Sequence, residues 1–305
     1  MAKIVFVCGE ARSGSTLLGS VLSGVEGCMS MGEVQFLWKA DNPTGQRCGC
    51  LRSFHECPVW QRVFAELDLT DEVRRQEGFR RWAEEVRLRQ IPRRYWEWVR
   101  YGRRPEHAAR LAAVYSAFSA ATESDVIVDI TKYPSDALAA LLAPGHETFI
   151  LHLVRDPRAT AFSRQRSKIH GTWEGARAMR QVTTLRNAWR WVAFNLLAEI
   201  FVGRVAKSQH YRRLRYEDYA RAPGPSTQAL LEWIGVGDRA NPVADDGSFE
   251  QPRSHTLMGN PDRFKTGRVA IRLDEQWRHA TRRRQKALTT LLTFLLLRRY
   301  GYRLF

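Results

Sequence analysis

The first strongly patterned segment of the chain is a short apolar run that ends in a glycine-containing turn. Residues 4–8 (Ile-Val-Phe-Val-Cys) are β-prone, the turn at residues 9–16 reads Gly-Glu-Ala-Arg-Ser-Gly-Ser-Thr, and apolar residues at helical spacing follow over 17–22. A glycine turn that leads into a helix directs backbone N–H groups and the positive end of the helix dipole at an anion. The segment therefore predicts a strand, a phosphate-binding loop and a helix.

This turn matches only part of the P-loop pattern G-x-x-x-x-G-K-[ST]. The two glycines and the final threonine agree with the pattern, but Ser15 occupies the lysine position. The clearest candidate for a metal-binding acid at the end of a later strand is Asp129, and its context is weak. We therefore expect a phosphate site that is not built for magnesium-nucleotide hydrolysis, with a small-metabolite kinase as an alternative. The side chains that would add donors to the loop are Arg12, Ser13, Ser15 and Thr16.

Apolar strand patterns recur along the chain and define the expected fold. Helices are predicted after two of them, at 134–142 and 157–167, and a mainly helical stretch at about 59–122 separates the first strand from the next. Apolar strands that alternate with helices predict a parallel sheet covered on both faces. We expect one domain over residues 1–305, with a three-layer, P-loop NTPase-like α/β fold and a helical insertion. The further strand segments are residues 126–130, 149–154 and 210–215.

The chain is strongly basic, since 48 Lys and Arg against 32 Asp and Glu give a net charge of +16. Such a charge favours an anionic partner, which could be nucleic acid, an acidic membrane or a phosphorylated small molecule. Many arginines fall within residues 74–110, among Trp82, Trp96 and Trp98. Arginine with aromatic residues can bind single-stranded nucleic acid. We interpret the segment instead as solvated helix faces over a tryptophan-bearing inner face, and keep a basic nucleic-acid-binding protein as an alternative.

The chain shows no targeting or membrane-spanning pattern. Its N-terminal apolar run is too short for a signal peptide and is soon followed by Glu10 and Arg12. The longest later apolar stretch, 287–297, is well below the roughly 20 residues that cross a bilayer. We interpret this stretch as a buried C-terminal helix and expect a cytoplasmic protein without a transmembrane segment.

Three of the five cysteines lie close together in the sequence with a histidine. Cys48, Cys50 and Cys57 accompany His55, and three cysteines with one histidine can bind zinc. Only one residue separates the first two cysteines, however, and no second paired knuckle follows. We therefore expect a surface loop with free or disulfide-bonded thiols, and no required metal.

Two segments resemble the nucleotide-binding elements of sulfotransferases that use 3′-phosphoadenosine 5′-phosphosulfate (PAPS). The Arg-Ser-Gly-Ser-Thr run at 12–16 is similar to the loop that binds the 5′-phosphosulfate of PAPS. Residues 153–163 are similar to the strand–helix element that binds its 3′-phosphate through an arginine and a serine eight residues later, here Arg155 and Ser163. The resemblance implies PAPS as co-substrate and 3′-phosphoadenosine 5′-phosphate (PAP) as product.

Two later segments extend the resemblance. Residues 214–218 (Leu-Arg-Tyr-Glu-Asp) are similar to a family segment whose tyrosine, here Tyr216, lies near the adenine. Residues 254–264 resemble the Gly-Asn-Pro-x-Arg loop of bacterial members, which closes over the nucleotide and here contains Asn260 and Arg263. A loop rich in glycine and proline, without periodicity, suits a lid.

The catalytic residues are assigned by likeness to the tyrosylprotein and carbohydrate-type members. Glu33, in Met-Gly-Glu-Val, resembles their general base, and Lys132, in Asp-Ile-Thr-Lys-Tyr-Pro, resembles a lysine that could reach the leaving oxygen. Arg12 is expected to share that task. A carboxylate can act as the base at neutral pH if partial burial raises its pKa. The alternative bases, by analogy with cytosolic members, are His55, His152, His170 and His255.

Together these features imply an enzyme that transfers a sulfuryl group from PAPS to a hydroxyl or amine. The expected acceptor is a small molecule, carbohydrate or lipid rather than nucleic acid. The helical insertion and the cysteine-bearing loop are expected to shape its pocket, since the loops that select substrates vary freely on a common scaffold. The oligomeric state cannot be inferred from the sequence.

Overall fold

A parallel β-sheet forms the centre of the protein. The computed structural model describes residues 1–39, 47–69, 72–85, 87–166 and 183–304. Within these residues, five parallel strands form a sheet in the order β2-β3-β1-β4-β5, and β6 pairs with β7 in a small antiparallel sheet. The strands are β1 (Lys3–Cys8), β2 (Cys28–Gly32), β3 (Val126–Lys132), β4 (Glu147–Val154), β5 (Tyr211–Arg215), β6 (Ser248–Gln251) and β7 (Gly267–Ala270).

Helices cover both faces of the central sheet. Because β1 lies between β3 and β4, its side chains pack against apolar residues on either face. Ile4, Phe6 and Cys8 lie in one hydrophobic cluster, and Val5 and Val7 lie in the other. The continuous apolar sequence of β1 follows from this two-sided burial. The predicted three-layer α/β fold is therefore confirmed.

The helices follow the strands in the order that the sequence predicts. The four helices that lie between β2 and β3 occupy the expected insertion, although the organisation of residues 1–305 as one domain stays a prediction. The helices are α1 (Ser15–Leu22), α2 (Pro58–Glu66), α3 (Glu72–Glu85), α4 (Ile91–Tyr101), α5 (Glu106–Thr122), α6 (Pro134–Leu141), α7 (Pro157–Arg166), α8 (Thr184–Leu197), α9 (Gly203–Val205), α10 (Tyr216–Arg221), α11 (Pro223–Trp233), α12 (Trp277–Ala280) and α13 (Arg283–Arg299).

Strand β2 was not among the strands predicted from the sequence. Its residues, Cys-Met-Ser-Met-Gly, include no β-branched residue, so they lack the composition that identifies the other strands. The strand forms because β3 supplies a hydrogen-bonding edge next to it. Its position matters because its last residue, Gly32, directly precedes the expected base.

The interpretation of residues 287–297 as a buried helix is wrong in part. The helix α13 forms, and Leu296 and Leu297 are buried in a hydrophobic cluster, but Leu291 is 74% exposed and Leu295 is 79% exposed. One face of the helix packs on the protein while the other faces solvent. No helix among the described residues combines the length and the apolar character needed to cross a membrane.

The parallel arrangement brings the carboxyl ends of β1, β2, β3 and β4 to one edge of the sheet. The residues that follow these strands begin at Gly9, Glu33, Tyr133 and Arg155. Ligands of open parallel sheets bind in the crevice outside the carboxyl ends of the strands. This edge therefore places the predicted phosphate loop, base and 3′-phosphate element side by side.

Candidate functional site

The loop after β1 has the shape that a phosphate-binding turn requires. Gly14, at the start of α1, has a left-handed backbone with φ of 99°. A Cβ atom at this position would collide with the ring of Tyr216. Glycine is needed here for both reasons, and the loop consequently packs directly against the tyrosine that the sequence assigns to the adenine site.

The two elements that the sequence assigns to the ends of the nucleotide contact each other. The Nε of Arg12 donates to the Oγ of Ser163 over 3.0 Å. The Nη1 of Arg155 donates to the carbonyl oxygen of Arg12 over 3.1 Å. The guanidinium of Arg155 also lies 4.4 Å from the centroid of the Tyr216 ring. Four predicted site residues, far apart in sequence, therefore form one contiguous surface.

Two buried donors of this surface have no hydrogen-bond partner among the described residues. They are the Oγ of Ser13 and the Nε of Arg155. Ser13 is 1% exposed and Arg155 is 8% exposed, so water does not replace the missing acceptors freely. Leaving a buried donor unpaired costs about 1–3 kcal/mol. The two donors therefore lack an acceptor from the described residues, which is uncommon for buried polar groups.

Glu33 and Lys132 form an ion pair at the same edge of the sheet. The Nζ of Lys132 lies 2.7 Å from the Oε1 of Glu33, and it also donates to the carbonyl oxygen of Ile130 over 3.0 Å. The other carboxylate oxygen, Oε2, accepts from the Nε2 of Gln35 over 3.2 Å. Both carboxylate oxygens of Glu33 are therefore held by side chains at this edge, and the side chain is 14% exposed.

The backbone joins this ion pair to the phosphate loop and to the lid. The N–H of Gly9 donates to the carbonyl oxygen of Lys132 over 3.0 Å. The N–H of Glu33 donates to the carbonyl oxygen of Leu257 over 2.7 Å. Gly32 permits the second contact, since a Cβ there would collide with the backbone of Leu257. Backbone hydrogen bonds therefore hold the predicted base, the predicted lysine and the loop in fixed positions relative to one another.

The predicted lid contacts the first turn of α1. The backbone N–H of Asn260 donates to the Oγ1 of Thr16 over 3.2 Å. Arg263 is 4% exposed, and its Nη1 donates to the carbonyl oxygen of Gly259 over 2.9 Å. Burial lowers the pKa of Arg263 to about 10, although the nearby charges of Glu33 and Cys48 raise it. Arg263 thus remains a cation beside the site at neutral pH.

Of the candidate histidines within the described residues, His152 is the least suited to act as a base. His152 is fully buried between the hydroxyl of Tyr211, at 2.7 Å, and the amide oxygen of Asn195, at 2.8 Å. Burial lowers the pKa of His152 to about 4, and both ring nitrogens are already used. His55 is exposed, and His170 lies outside the described residues. His255 contacts cysteines and is discussed below.

Several supporting residues were not identified from the sequence. Glu217 accepts from the backbone N–H of Asp156 over 2.9 Å and from the hydroxyl of Tyr302 over 2.7 Å. The Nε1 of Trp191 donates to the carbonyl oxygen of Arg155 over 2.9 Å. Both fix the backbone at the end of β4. Glu217 lies beside Tyr216 in a motif already noted, whereas no sequence signal connected Trp191 to Arg155.

The cysteine loop differs from its expected form. Cys48 and Cys57 are fully buried rather than at the surface, and none of the five cysteines forms a disulfide. The histidine that joins Cys48, Cys50 and Cys57 is His255 from the lid segment. His55, the histidine nearest in sequence, is not part of the cluster.

The fold defines a P-loop-like α/β protein in which Ser15 stands in place of the P-loop lysine. A sequence profile described as "Sulfotransferase family" matches residues 5–239, which include most of β1 and all of β2, β3, β4 and β5. The chain therefore belongs to the sulfotransferase family, a family of transferases, and the resemblance inferred from the motifs is confirmed.

Solved structures agree with this assignment at the level of the fold. The sulfotransferase domain from the olefin synthase of Synechococcus PCC 7002 aligns with a TM-score of 0.58 and 20% identity, covering 99% of this chain and 97% of that one. The sulfotransferase domain from the curacin biosynthetic pathway aligns with a TM-score of 0.56 and 14% identity, covering 99% of both chains. A comparison with curated protein sequences finds no match.

Proposed function

We propose that this protein transfers the sulfuryl group of PAPS to a hydroxyl or amine of a small-molecule, carbohydrate or lipid acceptor. The observation that carries the proposal is the 2.7 Å pair of Glu33 and Lys132, which a backbone hydrogen bond from Gly9 joins to the phosphate loop. A base and a cation beside an anion-binding loop are the groups that sulfuryl transfer requires.

The surface formed by the loop over residues 9–16 together with Arg155, Ser163 and Tyr216, called here the anion surface, suits a nucleotide that carries charge at both ends. The loop over residues 9–16 and the start of α1 would bind the 5′-phosphosulfate through backbone N–H groups and the hydroxyls of Ser13, Ser15 and Thr16. Arg155 and Ser163 would bind the 3′-phosphate. The unpaired donors of Ser13 and Arg155 support this division, because one belongs to each end.

Each catalytic residue has a role that follows from its position. PAPS supplies a sulfuryl group attached to a phosphate leaving group. Glu33 accepts the proton of the acceptor as its oxygen or nitrogen forms the new bond to sulfur. Lys132 and Arg12 offset the negative charge that develops on the bridging oxygen as the old sulfur–oxygen bond breaks. Positioning and electrostatic stabilisation supply most of the rate enhancement in group transfers of this kind.

Binding of PAP, measured by calorimetry, tests the proposal at its first step. We expect wild-type protein to bind PAP. Arg155→Ala and Ser163→Ala should each weaken binding, by about 10-fold or more for the arginine, because charge-assisted hydrogen bonds contribute about 1.5–3 kcal/mol. Arg204→Ala is the matched control, since Arg204, on α9, is exposed and donates to the carbonyl oxygen of Ile200. Absence of PAP binding by the wild-type protein would contradict the proposal.

A further inference from the structure

A cluster of three thiols and one imidazole lies beside the candidate site. One potential ligand atom from each of Cys48, Cys50, Cys57 and His255 lies within 4.8 Å of all the others. The Nδ1 of His255 is 3.2 Å from the Sγ of Cys57 and 3.9 Å from that of Cys48. The residues come from two segments about 200 positions apart, so their convergence is a property of the tertiary structure.

The backbone around the cysteines forms a tight turn that aims the thiols inward. Arg47 and Ser53 form an antiparallel bridge, and the N–H of Cys48 donates to the carbonyl oxygen of Arg52 over 2.8 Å. The N–H of Cys57 then donates to the carbonyl oxygen of Ser53 over 2.9 Å. A closed turn of this kind places Cys48 and Cys57 near each other although eight residues separate them.

The histidine is held in place by contacts of its own backbone. The Nε1 of Trp60, on α2, donates to the carbonyl oxygen of His255 over 2.8 Å. The N–H of Gly49 donates to the carbonyl oxygen of Thr256 over 3.2 Å. These bonds fix the His255 segment against the cysteine turn independently of the side chains in the cluster.

We propose that Cys48, Cys50, Cys57 and His255 bind a Zn²⁺ ion with tetrahedral geometry. Three thiolates and one imidazole are a ligand set that zinc prefers in closed structural sites. Zn–S and Zn–N bonds of about 2.3 and 2.0 Å place tetrahedral ligand atoms about 3.5–3.8 Å apart. The ligand atoms lie within 4.8 Å of one another, so the widest separation needs to contract by at most about 1.3 Å. Burial of Cys48 and Cys57 suits a structural rather than an exchangeable ion.

Such an ion would fasten the cysteine turn to the segment that supports the base. Two residues after His255, Leu257 accepts from the N–H of Glu33 over 2.7 Å and donates to the carbonyl oxygen of Met31 over 2.9 Å. Arg263, further along the lid, lies within electrostatic reach of Cys48 and Glu33. The zinc site is therefore structural and positions the lid. It does not depend on the identity of the sulfuryl donor.

Metal analysis of the purified, reduced protein tests this proposal. We expect close to one zinc per chain by inductively coupled plasma mass spectrometry in the wild type and in two control variants. Cys28→Ser changes a buried cysteine of β2 outside the cluster, and His55→Gln changes the histidine nearest in sequence. Cys57→Ser and His255→Gln should lower the zinc content at least several-fold after dialysis against a mild chelator. Zinc retained equally by all four variants would overturn the proposal.

Cobalt substitution of the wild-type protein keeps the test decisive if the cluster variants fail to fold. Cobalt bound by three thiolates and an imidazole shows thiolate-to-metal charge-transfer bands and intense tetrahedral d–d bands. Their appearance on addition of Co²⁺ to chelator-treated protein, and their loss on addition of Zn²⁺, would support the site. Absence of both zinc and cobalt binding overturns it, as does an intact mass that shows a disulfide within the cluster of freshly purified protein.

Discussion

The interior acids Asp129 and Asp136 differ in their surroundings from Glu33, the acid at the edge of the sheet. Beneath the insertion, Asp136 accepts from the Nε1 of Trp82 over 2.9 Å and from the Nε2 of His107 over 3.0 Å. Nearby, Asp129 accepts from the hydroxyl of Tyr115 and the N–H of Thr131, each over 2.8 Å. Donors from the protein itself therefore satisfy the hydrogen bonding of both interior carboxylates.

The acid at the sheet edge has a different environment. Glu33 pairs with Lys132, its side chain is 14% exposed, and the adjoining anion surface contains the unpaired donors of Ser13 and Arg155. Burial raises the pKa of Asp129 to about 6, yet this acid is enclosed and hydrogen-bonded. A raised pKa therefore does not by itself locate the site. Partial exposure and a lysine partner distinguish Glu33 from the interior acids.

The largest expected effect is on catalysis at Glu33. Glu33→Gln keeps the size of the side chain but removes its negative charge, its basicity and one of its two acceptor oxygens. We expect sulfuryl transfer to fall about 1,000-fold, equivalent to about 4 kcal/mol, with PAP affinity near that of the wild type. Steady-state kinetics and calorimetry measure the two effects. Glu26→Gln, at an exposed position, is the control, and undiminished activity of Glu33→Gln would return the base to a histidine.

Asp136 tests the structural side of the comparison. Asp136→Ala leaves the donors of Trp82 and His107 without their acceptor in the interior, so we expect the free energy of unfolding to fall by about 3 kcal/mol. Urea denaturation measures this change. Asp238→Ala, at an exposed residue, should change stability by less than about 0.5 kcal/mol. Equal stability of the two variants would show that the interior bonds contribute little.

His152 extends the comparison to pH dependence. Its pKa is about 4 in the folded protein because of burial, against about 6.5 when unfolded. As the pH falls, the unfolded chain therefore binds this proton before the folded protein does. The contribution of His152 to the free energy of unfolding is fully present above pH 6.5 and is lost as the pH falls towards 4. At pH 5 the loss from this residue is about 2 kcal/mol. His152→Gln should flatten the pH dependence of urea unfolding, whereas His279→Gln, at an exposed position, should keep the wild-type slope.

The smallest predicted effect concerns a single donor to Asp136. Trp82→Phe removes the indole N–H but leaves His107 as a donor to the same carboxylate. We expect a loss of about 1 kcal/mol in the free energy of unfolding. Trp96→Phe, at a side chain that is 63% exposed, is the matched control. A loss as large as that of Asp136→Ala would show that Trp82 alone accounts for the stability of the interior network.

The sequence predicted four strands of the central sheet but not β2, the strand at one side of it. Strands β1, β3 and β4 carry apolar patterns that identify them, and β5 (Tyr-Arg-Arg-Leu-Arg) was predicted without such a pattern. Strand β2 lacks β-branched residues and depends on its neighbour. The same limit applies to α13, where an apolar stretch suggested burial but the leucines divide between core and solvent. Local composition indicates which segments form helices or strands. Whether their side chains are buried depends on which other segments pack against them.

For the site, the motifs predicted which residues would assemble but not how they contact. Gly14, Arg12 and Ser163 were chosen from short patterns. The structure places Gly14 against the ring of Tyr216 and joins Arg12 to Ser163 by a hydrogen bond. The supporting bond from Trp191 to Arg155 has no local signature, because it joins a helix to a strand end. Contacts between distant segments leave no pattern in a single sequence.

The order of apolar strands, the glycine turn and the paired motifs by themselves determined the fold class and the family of this protein. Backbone conformation and periodic burial are local properties, which neighbouring residues encode. Only the tertiary structure decided that Glu33 pairs with Lys132, that Ser13 and Arg155 keep unpaired donors, and that His255 rather than His55 joins the cysteines. These arrangements depend on the packing of distant segments, which sequence proximity does not reveal.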